Sequence, residues 1–445
     1  MPSDWVEATL DEMKSAAKGA FAMGPFGSRI KAENFLPHGI PVIKGGNLNG
    51  DFLNEERFDF LSEEKAAELS SSTARRLDLV ITHRGTIGQV GIVPEHSKFE
   101  RYIISQSQLK LTFDQDRVNP YFIYYFLRSP EGQRRLLMNA SQVGVPAIAQ
   151  ALTSLRNLRI PFPRKAEQDD IAQTLRCLDD RIALLRETNA TLEAIAQALF
   201  KSWFVDFDPV RAKAEGRCPE GVPPEVADLF PSEFEDSELG EIPKGWRSST
   251  MDSISVVGIG KTPPRKEPQW FSADNSDVRW VSIRDMGVSG AFISQTSEYL
   301  TAESIERFNV RLVPDNIVLL SFKMTMGRVA ITDGEMTTNE AIAHFKLDEI
   351  SPLTSEYIYL HLKLYNYASL SSTSSIADAV NSKTVKAIPI LVPHKKVVLA
   401  FQELIRPVFM KIKQSQQQML SLVTLRDLLL PRLMSGKLTL TTTNQ

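Results

Sequence analysis

Gly258-Ile259-Gly260-Lys261-Thr262 resembles the end of a phosphate-binding loop. Such a loop cradles phosphates with backbone N–H groups at a helix N-terminus, and its lysine reaches the same oxygens. The pattern needs a glycine five positions before Gly260, where Ser255 stands, and Pro263-Pro264 forbid the helix that must follow. The fragment therefore predicts no nucleotide site. The six histidines are scattered without metal-ligand spacing, and no Ser/His/Asp ordering, zincin helix or pair of carboxylates stands out.

Asn119-Pro120-Tyr121-Phe122 has the wording of the catalytic tetrapeptide of amino-group DNA methyltransferases. That chemistry needs a doubly wound domain with a glycine-rich cofactor loop upstream, for which GGNLNG (45–50) is a poor substitute. A helix start explains the same residues: Asn119 caps, and Pro120 takes the first helical position. The sequence offers no convincing active site.

The elements around these residues carry more information. The chain has 445 residues, enough for two or three domains. Its two cysteines, Cys177 and Cys218, exclude a disulfide framework and point to a reducing compartment. The acidic start lacks a signal-peptide pattern, and the apolar runs are strand-length, so a cytoplasmic protein without a membrane span is expected. The net charge of −3 and pI near 6.2 count against a simple polyanion binder, although local patches can still bind DNA.

The chain repeats itself. Trp5 matches Trp246, and LVITHRGTIGQVGIV (79–93) matches VLLSFKMTMGRVAIT (318–332), with Thr86 on Thr325 and Gly88 on Gly327. Ile148-Ala149 matches Ile376-Ala377, and Leu155, Leu158, Ile160 and Pro163 match Val385, Ile388, Ile390 and Pro393. Four blocks in one order indicate duplication. Each copy reads as strands broken by turns, a short helix (Pro120–Leu127 or Ser355–Leu362), a strand ending in proline, and a long helix.

The long helices show a coiled-coil seam. Ile171, Leu175, Leu178, Ile182, Leu185, Asn189, Leu192, Ala196, Leu199 and Trp203 alternate at spacings of 4 and 3. An offset of 230 gives Phe401, Ile405, Val408, Ile412, Ser415, Met419, Leu422, Arg426, Leu429 and Leu433, in which Arg426 is out of place. Pro407 predicts a kink and Gly436 a C-terminal cap. Two ordinary amphipathic helices would show a similar pattern. However, some 35 residues span about 50 Å, more than a small domain is wide, which favours an antiparallel pair. Residues 211–245, rich in proline and acid, read as a linker or a long loop.

The wording of the joins now becomes informative. Glu167-Gln168, Leu178-Asp179-Asp180-Arg181-Ile182, Asn189 to Glu193 and Leu199 to Val210 resemble the central conserved region of the specificity subunits of Type I restriction–modification systems. GEIPKGW (240–246) is similar to the start of that family's second recognition domain, and LRDLLLPRLMSGKL (425–438) to its C-terminal segment.

The resemblance implies an α+β fold with two pseudo-repeated α/β target-recognition domains, 1–163 and 246–393, separated by a long antiparallel two-helix coiled coil. The coil comprises helices within 164–210 and 394–438, with 211–245 between the copies. It implies a non-catalytic subunit whose domains each read one half of a bipartite, asymmetric double-stranded DNA site. The coil would set the spacer and dock two methyltransferase subunits. The subunit would need no cofactor: S-adenosylmethionine, ATP and Mg would belong to methyltransferase and, where present, restriction subunits.

Base readout needs Arg, Lys, Asn or Gln on loops or helix ends. In the first domain the candidates are Lys31, Lys44, Asn47, Arg84, Gln106, Gln108, Asn139, Ser141 and Gln142. In the second they are Lys261, Arg265, Lys266, Trp270, Arg284, Lys323, Arg328 and Asn339, with 261–266 better suited to phosphate. Thr86, Gly88, Thr325 and Gly327 recur in both copies and read as architecture. Trp203, Phe204 and Phe207 either close the coil against a domain or belong to a docking surface, and Lys201 and Asp206 stay open. Two rival functions are a scaffold that has lost DNA reading and a stand-alone DNA-modifying enzyme.

Overall fold

A computed structural model describes residues 5–50, 52–141, 144–238, 240–348, 351–371 and 381–440. The Ile376-Ala377 repeat block and the candidate Gln142 lie outside these residues. The chain forms two compact units, one from 1–183 with 420–445 and the other from 184–419.

In the first unit, Val6–Thr9 pairs antiparallel with Arg159–Phe162. A four-stranded antiparallel sheet runs Phe21–Met23, Gln108–Leu111, Leu79–Thr82, Val90–Ile92. A second sheet runs Asp59–Leu61, Ile40–Ile43, Arg101–Ile104, Thr73–Arg75, with Ile40–Ile43 parallel to Arg101–Ile104. Strands such as Leu79–Thr82, three apolar residues and a threonine, are buried throughout because they pack on both faces.

The second unit repeats this plan. Arg247–Thr250 pairs with Pro389–Val392. Ser255–Ile259, Ile342–Leu347, Val318–Ser321 and Val329–Thr332 reproduce the first sheet's order, and Phe292–Ile293 adds a parallel edge. The other sheet is Phe271–Ser272, Glu298–Leu300, Val278–Val281, Thr337–Thr338.

The long helices are Lys165–Phe204 and Lys395–Met434. Every seam residue assigned from the heptads is buried or half-buried. The helices run antiparallel: within the first unit Asp179 pairs with Arg426, and within the second Asn189 faces the Ile412 carbonyl. Ile171, Leu175, Leu433 and Met434 join the first unit's core, while Ala196, Trp203, Phe401, Ile405 and Ile412 join the second's. The compact units thus extend beyond 1–163 and 246–393, because the globular part of each buries its apolar face against segments of both helices. Helical assignment continues through Pro407, and Gly436 takes φ +65° after the helix end.

The stretch expected as a linker or a long loop packed along the coil folds into the second unit. Asp208–Ala214 and Pro224–Ala227 are helical, and Phe234–Ser237 pairs with Gly240–Pro243. Val210, Phe230 and Ile242 are buried in the core around Trp203 and Trp246. Those apolar residues, twenty and twelve positions apart, lack a period that a sequence reading detects.

Candidate nucleic-acid interface

The two motifs weighed for catalysis are used up by the fold. Asn119 accepts from the Tyr121 amide at 2.9 Å and donates to Asp169 at 2.7 Å, capping a helix whose Pro120, Tyr121 and Phe122 are buried. A Cβ on Gly260 would lie 2.2 Å from the Thr338 hydroxyl and the Asn339 carbonyl, so the glycine serves close strand packing. The Lys261 amide is bonded to the Thr338 carbonyl at 2.8 Å, which removes it from any phosphate.

The polar residues of the joins are also structural. Buried Gln168 accepts from the Asn119 amide at 2.9 Å and donates to the Pro163 carbonyl at 2.9 Å. Glu167 holds the Trp5 indole N–H at 3.0 Å. Glu193 takes the Tyr359 hydroxyl at 2.7 Å and Lys363 at 3.1 Å. Trp203 and Phe204 pack on Phe230, Trp246 and Phe401, so these aromatics close the helix end; Lys201 is paired with Asp206.

In each unit, the loops at one end of the first sheet converge. In the first unit these are Gly24–Arg29, His83–Gly88, Ser105–Gln108 and 144–148. The His83 amide bonds the Ser107 carbonyl, the Gly85 amide bonds Pro146, and the Ile148 amide bonds His83. Gly85 and Gly88 take φ +86° and +85°, which glycine adopts freely. A Cβ on Gly88 would lie 2.9 Å from Gln133, so that glycine is architecture. Burial and the adjacent Arg84 hold the His83 pKa below its ordinary value.

The corresponding loops of the second unit are Gly260–Lys266, Phe322–Arg328 and Thr338–Ala341. The Phe322 amide bonds the Ala341 carbonyl and the Gly260 amide bonds Ile342. Gly327 repeats Gly88 at φ +88°.

Several candidates present exposed side chains at these ends: Arg84 and Gln106 in the first unit, and Lys261, Lys266 and Lys323 in the second. Arg284 is exposed on the helix Ile283–Val288. Asn139 and Ser141 are exposed beside the first loop set, with Asn139 donating to Ser154 at 3.3 Å. Lys31 is exposed near Glu33.

Other candidates are bonded to groups of their own unit. Asn47 is 8% exposed; it accepts from the Lys44 amide and donates to the Asn54 and Arg57 carbonyls. Gln108 is buried against Thr82. Lys44 is paired with Asp59 and lies 4.2 Å over the Phe35 ring. Arg265, still exposed, forks onto Glu298 at 2.7 and 2.9 Å and stacks 4.1 Å over Phe271. Trp270 is buried with its N–H on Glu267, Arg328 donates to the Ile283 carbonyl, and Asn339 accepts from the Ala341 amide. These residue types suit base reading, but Asn47, Gln108, Trp270, Arg328 and Asn339 here bond buried or half-buried groups, while Lys44 and Arg265 sit in exposed ion pairs.

Sequence reasoning missed exposed apolar residues at the same ends: Phe26 at 68% and Val145 at 57% in the first unit, and Met324 at 98% in the second. Arg29, also exposed, follows Phe26 at the end of the short turn Gly27–Arg29. No helix among the described residues is long and apolar enough to cross a membrane.

The profile of the Type I restriction modification DNA specificity domain matches residues 2–194 and 243–418. The chain is 27% identical to the HindI specificity subunit of Haemophilus influenzae, over 98% of this chain and 100% of that one. It is 24% identical to the MjaIX specificity subunit of Methanocaldococcus jannaschii, over 98% and 94%. The crystal structure of an S subunit from M. genitalium matches with a TM-score of 0.58 at 15% identity, covering 96% of each chain. With two matched copies that together span most of its length, the chain belongs to the Type I restriction–modification specificity-subunit family.

Proposed function

We propose that this chain is the non-catalytic DNA-reading subunit of a Type I restriction–modification complex, working where cellular DNA is reached in the cytoplasm. Its two recognition domains each read one half of a bipartite, asymmetric site. The paired helices set the unread spacer and dock two methyltransferase subunits. Those subunits bind S-adenosylmethionine and methylate adenine; restriction subunits, where present, use ATP and Mg. The chain itself needs no cofactor.

One observation carries this reading. Corresponding loops stand on a shared framework, Thr86 to Gly88 and Thr325 to Gly327, yet present different exposed side chains: Arg84-Gly85 in one unit, Lys323-Met324 in the other. A common frame with divergent tips is what two readers of unlike half-sites require. The acidic whole-chain charge leaves part of the phosphate neutralisation to the partner subunits.

The test is DNA affinity as a function of salt for the complex with its methyltransferase subunits. Arg84→Ala and Lys323→Ala should each weaken binding and lower the salt slope by about 0.9 if one phosphate contact is lost. Unchanged affinity and slope in both would favour a scaffold that no longer reads DNA.

A further inference from the structure

Resting on the DNA-reading assignment, we propose that Met324 is a specificity-determining residue that presses its side chain against a base in the half-site read by the second unit. Met324 is 98% exposed, at the tip of the loop joining Val318–Ser321 to Val329–Thr332. Its φ is +59°, in the left-handed region that residues with a long side chain rarely adopt. Its counterpart is Gly85, at φ +86°, where the same backbone carries no side chain. Folding alone would favour glycine at both positions.

The surrounding structure holds this conformation firmly. The Thr325 amide closes onto the Lys323 carbonyl at 2.7 Å, a three-residue turn centred on Met324. Buried Ser321 donates to the Thr325 carbonyl at 2.6 Å and accepts from the Arg328 amide at 3.0 Å. Phe322, 2% exposed, anchors one side of the loop, and Gly327 at φ +88° turns the other. A strained backbone that its neighbours over-determine, carrying a fully solvated apolar side chain, contributes nothing to the isolated fold and suits a contact made only with a partner.

The adjacent charges indicate the partner's chemistry. Lys323 and Lys261, both exposed, lie at the same sheet end and suit a phosphate backbone. An unbranched apolar side chain on a loop at the same sheet end as these cations can meet a thymine methyl or wedge into a base step. In the first unit, exposed Phe26 stands at the corresponding end.

The experiment uses the full chain with its methyltransferase subunits. Binding is measured on a duplex carrying the mapped site and on one with only the second half-site scrambled. Met324→Gly and Met324→Asn both suit a positive φ and both remove the apolar reach. Each should keep or raise the Tm while weakening binding to the mapped duplex by about tenfold, with scrambled-duplex binding unchanged. The inference is overturned if either variant binds the mapped duplex as the wild type does, or weakens both duplexes alike. Failure of the wild-type complex to discriminate the two duplexes would instead remove the DNA-reading assignment, and this inference with it.

Discussion

Arg426 donates to one oxygen of the Asp179 carboxylate at 2.7 Å, while the Tyr125 hydroxyl donates to the other at 2.7 Å. Asp179 is 2% exposed and the Arg426 side chain 14%, so the residue that breaks the apolar seam is half of a buried ion pair. The pair joins the second long helix to the first, and Tyr125 ties both to the helix Pro120–Arg128. Burial, and the carboxylate beside it, push the Tyr125 pKa well above its ordinary value. At the same register in the second unit, Phe409 replaces Asp179, Ala196 replaces Arg426 and Leu360 replaces Tyr125, all buried in one apolar cluster.

Breaking this pair should be costly, whereas exchanging it whole should not. Arg426→Ala leaves a buried carboxylate with one partner fewer and should lower stability by about 3–5 kcal/mol. The triple variant Tyr125→Leu, Asp179→Phe and Arg426→Ala copies the second unit and should regain most of that loss. Denaturant unfolding compares the three proteins. A triple variant no more stable than the single one contradicts this account.

The buried candidates should matter for folding and not for reading. Asn47→Ala strands the Lys44 amide and the carbonyls of Asn54 and Arg57, and should cost about 1–3 kcal/mol. Below its melting temperature the variant should discriminate target from non-target DNA as the wild type does. A stable Asn47→Ala protein with altered discrimination would return Asn47 to the readers.

Acid should loosen the second unit through His344. Burial, with Arg311 nearby, lowers its pKa from 6.5 to about 4, and its buried Nε2 has no hydrogen-bond partner among the described residues. The ring stays neutral in the fold while the unfolded chain gains a proton near 6.5. Its contribution is thus complete above about pH 6.5 and is lost as pH falls to about 4, amounting to about 3 kcal/mol. His344→Asn removes this titration, so the drop in Tm between pH 6.5 and 4 should shrink. Equal drops would show that other groups govern acid lability.

The architecture was legible because it is written in local periods. The heptads of both helices and the duplicated turn of Thr86-Gly88 and Thr325-Gly327 recur at nearly fixed offsets. The interface was only partly legible, because a polar side chain's task depends on partners distant in the chain. Arg328 serves the Ile283 carbonyl and Arg265 serves Glu298, pairings that no spacing announces. Met324 escaped notice because a methionine in sequence reads as core; only its positive φ and full exposure distinguish it.

Modularity offers a further check. Replacing residues 1–163 by the matching domain of another family member should change one half of the methylated target and leave the other intact. A change in both halves would show that the two recognition domains do not read independently.

The most direct measurement is to co-express the chain with its methyltransferase subunit in a methylation-free host and map methylated adenines across the genome. Two independent readers joined by paired helices predict a split, asymmetric motif with a constant unread spacer. A short uninterrupted motif, or no methylation from a soluble complex, would contradict that account.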